Sequence, residues 1–230
     1  MDDKENIPLE SKEESKKEIY KKPELDFFEE FGHIALIGPT NAGKTTKMKT
    51  FLVDGNFRKI EMFVYCGQEK DLKEMAECFA AGNFLQKESY ENKRMEFFDL
   101  NKIEEAIAFC LNKENSMSKL LFIDDALLQG SKSTKNISNF VSQAKNYNTT
   151  IVITMHSSTG DSLIKNIRSA CRYMVFLNAL PQDIKHILGI SISDKLLLQY
   201  KNIFNKYEKM IIFDREKNIL FNKDYKSLDI

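Results

Sequence analysis

"HIALIGPTNAGKTT", residues 33–46, is the stretch whose reading decides the fold. An apolar run of strand type (33–38) leads straight into a glycine-rich turn, and "GKTTKMKTFLV" then reads as a helix. Gly38, Gly43, Lys44 and Thr45 fit G-x-x-x-x-G-K-[ST], in the strand–turn–helix context that gives the motif its meaning. Glycines let backbone N–H groups turn toward phosphate oxygens, and the helix N-terminus adds its positive end. The cradle Gly38, Pro39, Thr40, Asn41, Ala42, Gly43, Lys44, Thr45 and Thr46 is therefore expected to hold a nucleoside triphosphate, ATP. Lys44 would reach the β- and γ-phosphates, and the Thr45 hydroxyl would ligate Mg²⁺.

Working outward, β-type runs alternate with helical stretches. The expected strands are 33–38, 59–67, 119–125, 149–156 and 172–178, most of them almost continuously apolar, with "MEFF" (95–98) as a short edge strand. Such runs suit a parallel sheet covered on both faces. "NKIEEAIAFCLN" places Ile103, Ile107, Cys110 and Leu111 on one helical face. "STKNISNFVSQAK" does the same for Ile137, Phe140, Val141 and Ala144. The expected fold class is α/β: a P-loop NTPase with a mostly parallel, doubly wound sheet of about five core strands and helices on both faces. "MIIFDREKNILF" (210–221) has two apolar runs around a polar turn and predicts a C-terminal β-hairpin.

The 230 residues, 42% hydrophobic, suffice for one such domain. Residues 1–26 hold nine acidic and six basic side chains and few apolar ones, so they read as a charged, disordered N-terminal arm. The ATPase domain is expected to span 27–230. No apolar run is long enough to cross a bilayer, so no membrane partner is expected. Cys66, Cys78, Cys110 and Cys171 form no CxxC pair; three lie in apolar segments, as buried reduced thiols of an intracellular protein do.

"KLLFIDD" supplies the second half of a hydrolytic site. Asp124, ending a buried strand, is the expected Mg²⁺ ligand, and Asp125 the carboxylate that orients or deprotonates the attacking water. Two adjacent carboxylates repel each other without a metal. After "IVITM", His156 is the candidate γ-phosphate sensor, with Thr154 the second choice; strand capping is the plainer role for His156. From Lys132 to Arg172 six bases face one acid, a segment suited to nucleic-acid phosphates, to a neighbouring subunit's nucleotide or simply to solvent. With five arginines in the chain, the two in "IRSACR" stand out. Arg168 is the candidate for a catalytic role in trans, presented at the sheet edge to a neighbour's γ-phosphate; an internal salt bridge is its competitor.

The order "GPTNAGKTT", "LLFIDD", "AKNYNTTIVITMHSS", "LIKNIRSACRYMVFL" resembles the genome-packaging ATPases of poxviruses and other large DNA viruses, virophages and Polinton-like elements, within the FtsK–HerA group. The resemblance covers about residues 30–180. It implies Lys44 and Thr45 on the triphosphate and Mg²⁺, Asp124 and Asp125 as the acidic pair, and a polar sensor after the fourth core strand. That family usually has glutamine near this strand end, where the chain has His156, and many relatives carry arginine where it has Lys145. The implied function is translocation of double-stranded DNA into a capsid by a homo-oligomeric ring. A capsid or portal-vertex protein is a further implied partner, and host cytoplasm or a viral factory the implied location. The alternatives are a nucleoside or nucleotide kinase, a nucleotide-dependent adaptor without turnover, and a cellular translocase of the same group. Scarce arginine and the "DD" strand end argue against a kinase.

Overall fold

The computed structural model describes residues 27, 28, 32–55, 57–85, 93–112, 116–125, 131–156, 162–179, 184, 187, 210–221, 223, 224, 227 and 228. The arm at 1–26 lies outside them.

Nine strands form one sheet among these residues. They are β1 (His33–Ile37), β2 (Met62–Gly67), β3 (Arg94–Asp99), β4 (Lys119–Ile123), β5 (Thr149–Met155), β6 (Cys171–Leu177), β7 (Met210–Asp214), β8 (Ile219–Phe221) and β9 (Ser227–Leu228). The order is β3-β2-β4-β5-β1-β6-β7-β8-β9. The six strands from β3 to β6 run parallel, and β7, β8 and β9 add on antiparallel. Beside the five expected core strands, the expected edge strand is β3, which pairs with β2 along its whole length, and the expected hairpin, β7 and β8, extends the other flank.

The helices are α1 (Lys44–Asp54), α2 (Glu69–Leu85), α3 (Ile103–Leu111), α4 (Ser131–Gln143) and α5 (Ser162–Ala170). Alternation along each strand divides its side chains between two cores. Ala35, Ile37, Val64, Leu121, Ile123, Ile151 and Ile153 pack on the face covered by α3, α4 and α5, through Ile107, Phe140 and Ile167 among others. Ile34, Leu36, Phe63, Tyr65, Leu120, Phe122 and Val152 pack on the face of α1, through Met48, Phe51 and Leu52, and on Met75 of α2. Both faces being covered explains the unbroken apolar runs.

Phe27 and Phe28 belong to this second core. Phe27 stacks edge-on to Phe51 (5.3 Å) and Tyr173 (5.1 Å), and Phe28 lies 4.6 Å from Phe57. Ring pairs of this kind are each worth about 0.5–1.5 kcal/mol beyond their buried area. His33 ties the start of β1 to β5: its Nδ1 accepts the Ile151 N–H at 3.1 Å. Burial pulls its pKa down to about 4, against the raising effect of a hydrogen bond to the Val141 backbone, so the ring is neutral at pH 7. Cys66, Cys110 and Cys171 are buried free thiols, each pushed up to about 12 mainly by burial.

Arg172 and Asp214 clasp the parallel part of the sheet to the antiparallel part. The guanidinium donates to the carboxylate through Nε (3.3 Å) and Nη2 (3.1 Å), and Nη1 reaches Glu216 at 2.9 Å. Arg172 is 8% exposed and Asp214 fully buried, so removing one partner would leave the other charged in the core, at a cost of about 3–5 kcal/mol.

Candidate functional site

In a parallel α/β sheet, ligands bind at the carboxyl ends of the strands, beside a strand whose neighbours are reached in opposite directions. Here β1 sits between β5 and β6, and the cradle follows its carboxyl end. The Gly38 N–H donates to the Met155 carbonyl (3.2 Å), so the turn leaves the sheet still anchored to β5. A Cβ at Gly38 would collide with the Leu177 carbonyl of β6, which is why the residue must be glycine. The chain then doubles back through Asn41 (φ 63°) and Gly43 (φ 86°), both left-handed, and α1 starts at Lys44.

Lys44 is 6% exposed. Its Nζ donates to the Gly38 (3.0 Å) and Pro39 (2.8 Å) carbonyls, folding over the turn that is to receive phosphate. Burial lowers its pKa, and the charges of Asp125 and Asp124 oppose that effect. Asp124 and Asp125 leave the end of β4 together. Both carboxylate oxygens of Asp124, which is 2% exposed, are held: Oδ2 accepts from the Thr45 hydroxyl at 2.7 Å and Oδ1 from the Thr154 hydroxyl at 2.9 Å. Burial pushes its pKa upward, the two hydroxyls hold it down, and Asp125 and Asp71 push it further up. Burial is the largest cause of that upward shift, and a cation bound at the carboxylate would oppose it. With the Thr45 hydroxyl the carboxylate forms an oxygen donor pair of the kind Mg²⁺ takes, so the residues present fit that ion.

Thr154 has a second task. Its hydroxyl oxygen accepts the Asp125 N–H at 2.8 Å, holding Asp125 in a left-handed conformation (φ 57°) that a non-glycine residue adopts only when held. The second choice from sequence thus bonds to both members of the acidic pair. His156, the first choice, lines the same cavity, and its buried Nε2 has no hydrogen-bond partner among the described residues.

The cavity has a volume of about 630 Å³. Cradle residues 40–46 line one side, with Asp125 and His156 from the ends of β4 and β5. Gln68, Lys70 and Asp71 complete it from the β2–α2 junction, and sequence reasoning missed all three. The signal that singled out His156, a polar residue just beyond a buried strand, also marks Gln68 after Gly67.

Arg168 is elsewhere. It lies near the end of α5, next to Cys171, which pairs with His33 at the amino end of β1, whereas the cradle lies beyond the carboxyl end. It is 6% exposed, its Nη1 is buried without a hydrogen-bond partner among the described residues, and burial together with neighbouring Arg215 lowers its pKa. The expectation that the side chain stands at a sheet edge is corrected: β6 is no edge, because β7 pairs with it. Of the basic segment, Lys135, Lys145 and Lys165 are exposed, whereas Arg168 and Arg172 are buried.

No family model matches the chain, and no curated protein matches it in sequence. Solved structures match it in fold. The genome packaging NTPase B204 from Sulfolobus turreted icosahedral virus 2 in complex with sulfate has a TM-score of 0.57 at 13% identity, over 84% of this chain and 95% of that one. Its complex with AMPPCP gives 0.56 at 14% identity, over 83% and 96%. At that identity the likeness is one of fold: this chain is a P-loop α/β protein folded as that viral packaging NTPase is.

Proposed function

We propose that the chain is an ATPase that translocates double-stranded DNA, working as a homo-oligomeric ring that packages a viral genome into a capsid. The carrying observation is Asp124 held at both oxygens by Thr45 and Thr154, with Asp125 beside it facing the cavity of the phosphate cradle. A hydrolytic site needs this pair: one carboxylate for the ion, the other for the water. In the reaction water attacks the γ-phosphorus, the bond to the bridging oxygen breaks with its electrons going to ADP, and Asp125 takes the proton of the water. Thr45 and Asp124 would hold Mg²⁺, which would supply charge stabilisation to the phosphoryl oxygens. Lys44 exchanges its carbonyl partners for phosphate, and His156 offers to the γ-phosphate an Nε2 that has no hydrogen-bond partner among the described residues.

The DNA and ring parts of the reading rest on the resemblance to packaging ATPases and on the shared fold. No helix among the described residues is long and apolar enough to cross a membrane. The test is ATP turnover with and without long duplex DNA. Stimulation by DNA supports the motor, and ADP formed only with a phosphate acceptor would point to a kinase. Lys44→Ala should lower turnover at least about a hundredfold, or roughly 2.7 kcal/mol. Asp125→Asn should bind nucleotide yet not hydrolyse it, because a base for water acts chiefly in the transition state. Normal turnover in either variant refutes the site.

A further inference from the structure

We infer that Gln68 is a positioning residue for hydrolysis, fixing the Asp125 carboxylate through its side-chain amide. The inference rests on the ATPase reading above. Asp125 is anchored from two strands. Thr154 on β5 accepts its backbone N–H at 2.8 Å, while the Gln68 Nε2, one residue beyond β2, donates to Oδ2 at 3.3 Å. With the backbone held, the carboxylate can still turn about its own side-chain bonds; the amide removes that freedom and leaves Oδ1 for the water.

Gln68 is itself held. Its backbone carbonyl accepts the Asp71 N–H at 2.9 Å, closing the first turn of α2, and Asp71 pairs with Lys49 of α1 at 3.8 Å. The amide therefore projects from a junction fixed to the sheet on one side and to the cradle helix on the other. Gln68 also lines the 630 Å³ cavity, together with Asp125 and cradle residues 40–46. In hydrolysis the proton of the attacking water passes to Asp125 Oδ1 as the bond to phosphorus forms, and Gln68 neither gains nor loses a proton. A carboxylate free to rotate would meet that water in the right orientation for only part of the time, which lowers kcat without weakening nucleotide binding.

The test uses the full chain and three variants. Gln68→Glu keeps the side chain's size and shape but replaces the N–H donor with an oxygen, Gln68→Ala removes the group, and Gln68→Asn keeps an amide on a shorter arm. Wild-type turnover is measured first; a wild type without turnover removes the ATPase reading and this inference with it. In an active enzyme, Gln68→Glu and Gln68→Ala should lower kcat at least about tenfold while KM, and the affinity for fluorescent AMPPNP, stay within about twofold. Gln68→Asn should recover part of the loss. A fall in kcat of less than about threefold in Gln68→Glu overturns the assignment, and so does a loss of affinity matching the loss of kcat.

Discussion

Replacing Thr154 with valine keeps the shape of the side chain and removes only its hydroxyl. That hydroxyl donates to Asp124 Oδ1 at 2.9 Å and accepts the Asp125 N–H at 2.8 Å, in a residue 1% exposed. Losing a hydrogen bond to a buried carboxylate costs about 1.5–3 kcal/mol, and orphaning a buried N–H costs about 1–3 kcal/mol. The methyl returns little, because the site it enters is polar. A net loss of about 3 kcal/mol is expected, which for a chain of this size lowers Tm by roughly 6–12 °C. Turnover should fall at least about tenfold, since Asp125 loses what holds its left-handed backbone. Calorimetry and urea titration read the stability, and a phosphate-release assay reads turnover. A double-mutant cycle with Asp124→Asn isolates the bond: the effect of Thr154→Val should shrink by at least about 1 kcal/mol in that background. A Thr154→Val protein melting within about 1 °C of wild type, with turnover within about twofold, would refute the reasoning, because both aspartates would then be held by something else.

His33 makes stability depend on acid. Its folded pKa is depressed to about 4 from 6.5, so its contribution is present above pH 6.5 and lost as pH falls toward 4. Between pH 7 and pH 5 that amounts to about 2 kcal/mol, visible as a lower urea midpoint, and His33→Gln should flatten this limb; an unchanged limb would show that other groups cause it. Chelating Mg²⁺ should abolish turnover. ADP with Mg²⁺ at about a hundred times its Kd should raise Tm by roughly 5–10 °C, more than ADP alone, with the excess lost in Asp124→Asn.

The cradle and the two aspartates were legible because their chemistry is local. A strand, a turn and a helix in unbroken succession fix the first, and a strand end fixes the second. The helices whose apolar residues recur at helical spacing, α3 and α4, were legible too, with Ile103, Ile107, Cys110, Ile137, Phe140 and Val141 all buried as expected. α2 was not anticipated. Its buried side is thin, with Met75 fully buried and Leu72, Cys78 and Phe79 only partly so, while Leu85 at its end is exposed. Missing α2 meant missing the junction that carries Gln68, Lys70 and Asp71. The bond from Thr154 to Asp124 spans 30 residues and the one from Gln68 to Asp125 spans 57, and no spacing rule reaches that far. Arg168 misled for a different reason. Rarity suggested use at a surface, whereas the structure buries it beside Arg215 and commits its neighbour Arg172 to Asp214.

The clasp between Arg172 and Asp214 sets how far the chain can be cut back. Asp214 lies far along the chain from the cradle, on a strand that contributes nothing to the nucleotide cavity, so a shortened version ending soon after β6 looks harmless on paper. It would leave the Arg172 guanidinium facing the sheet with its buried counter-charge deleted, and would strip β6 of the strand beside it. The smallest autonomous folding unit therefore reaches at least through the β7–β8 turn, whose Glu216 and Lys217 N–H groups both donate to Asp214 Oδ1. A fusion tag or cleavage site placed before that turn would divide a cooperative element rather than trim an appendage.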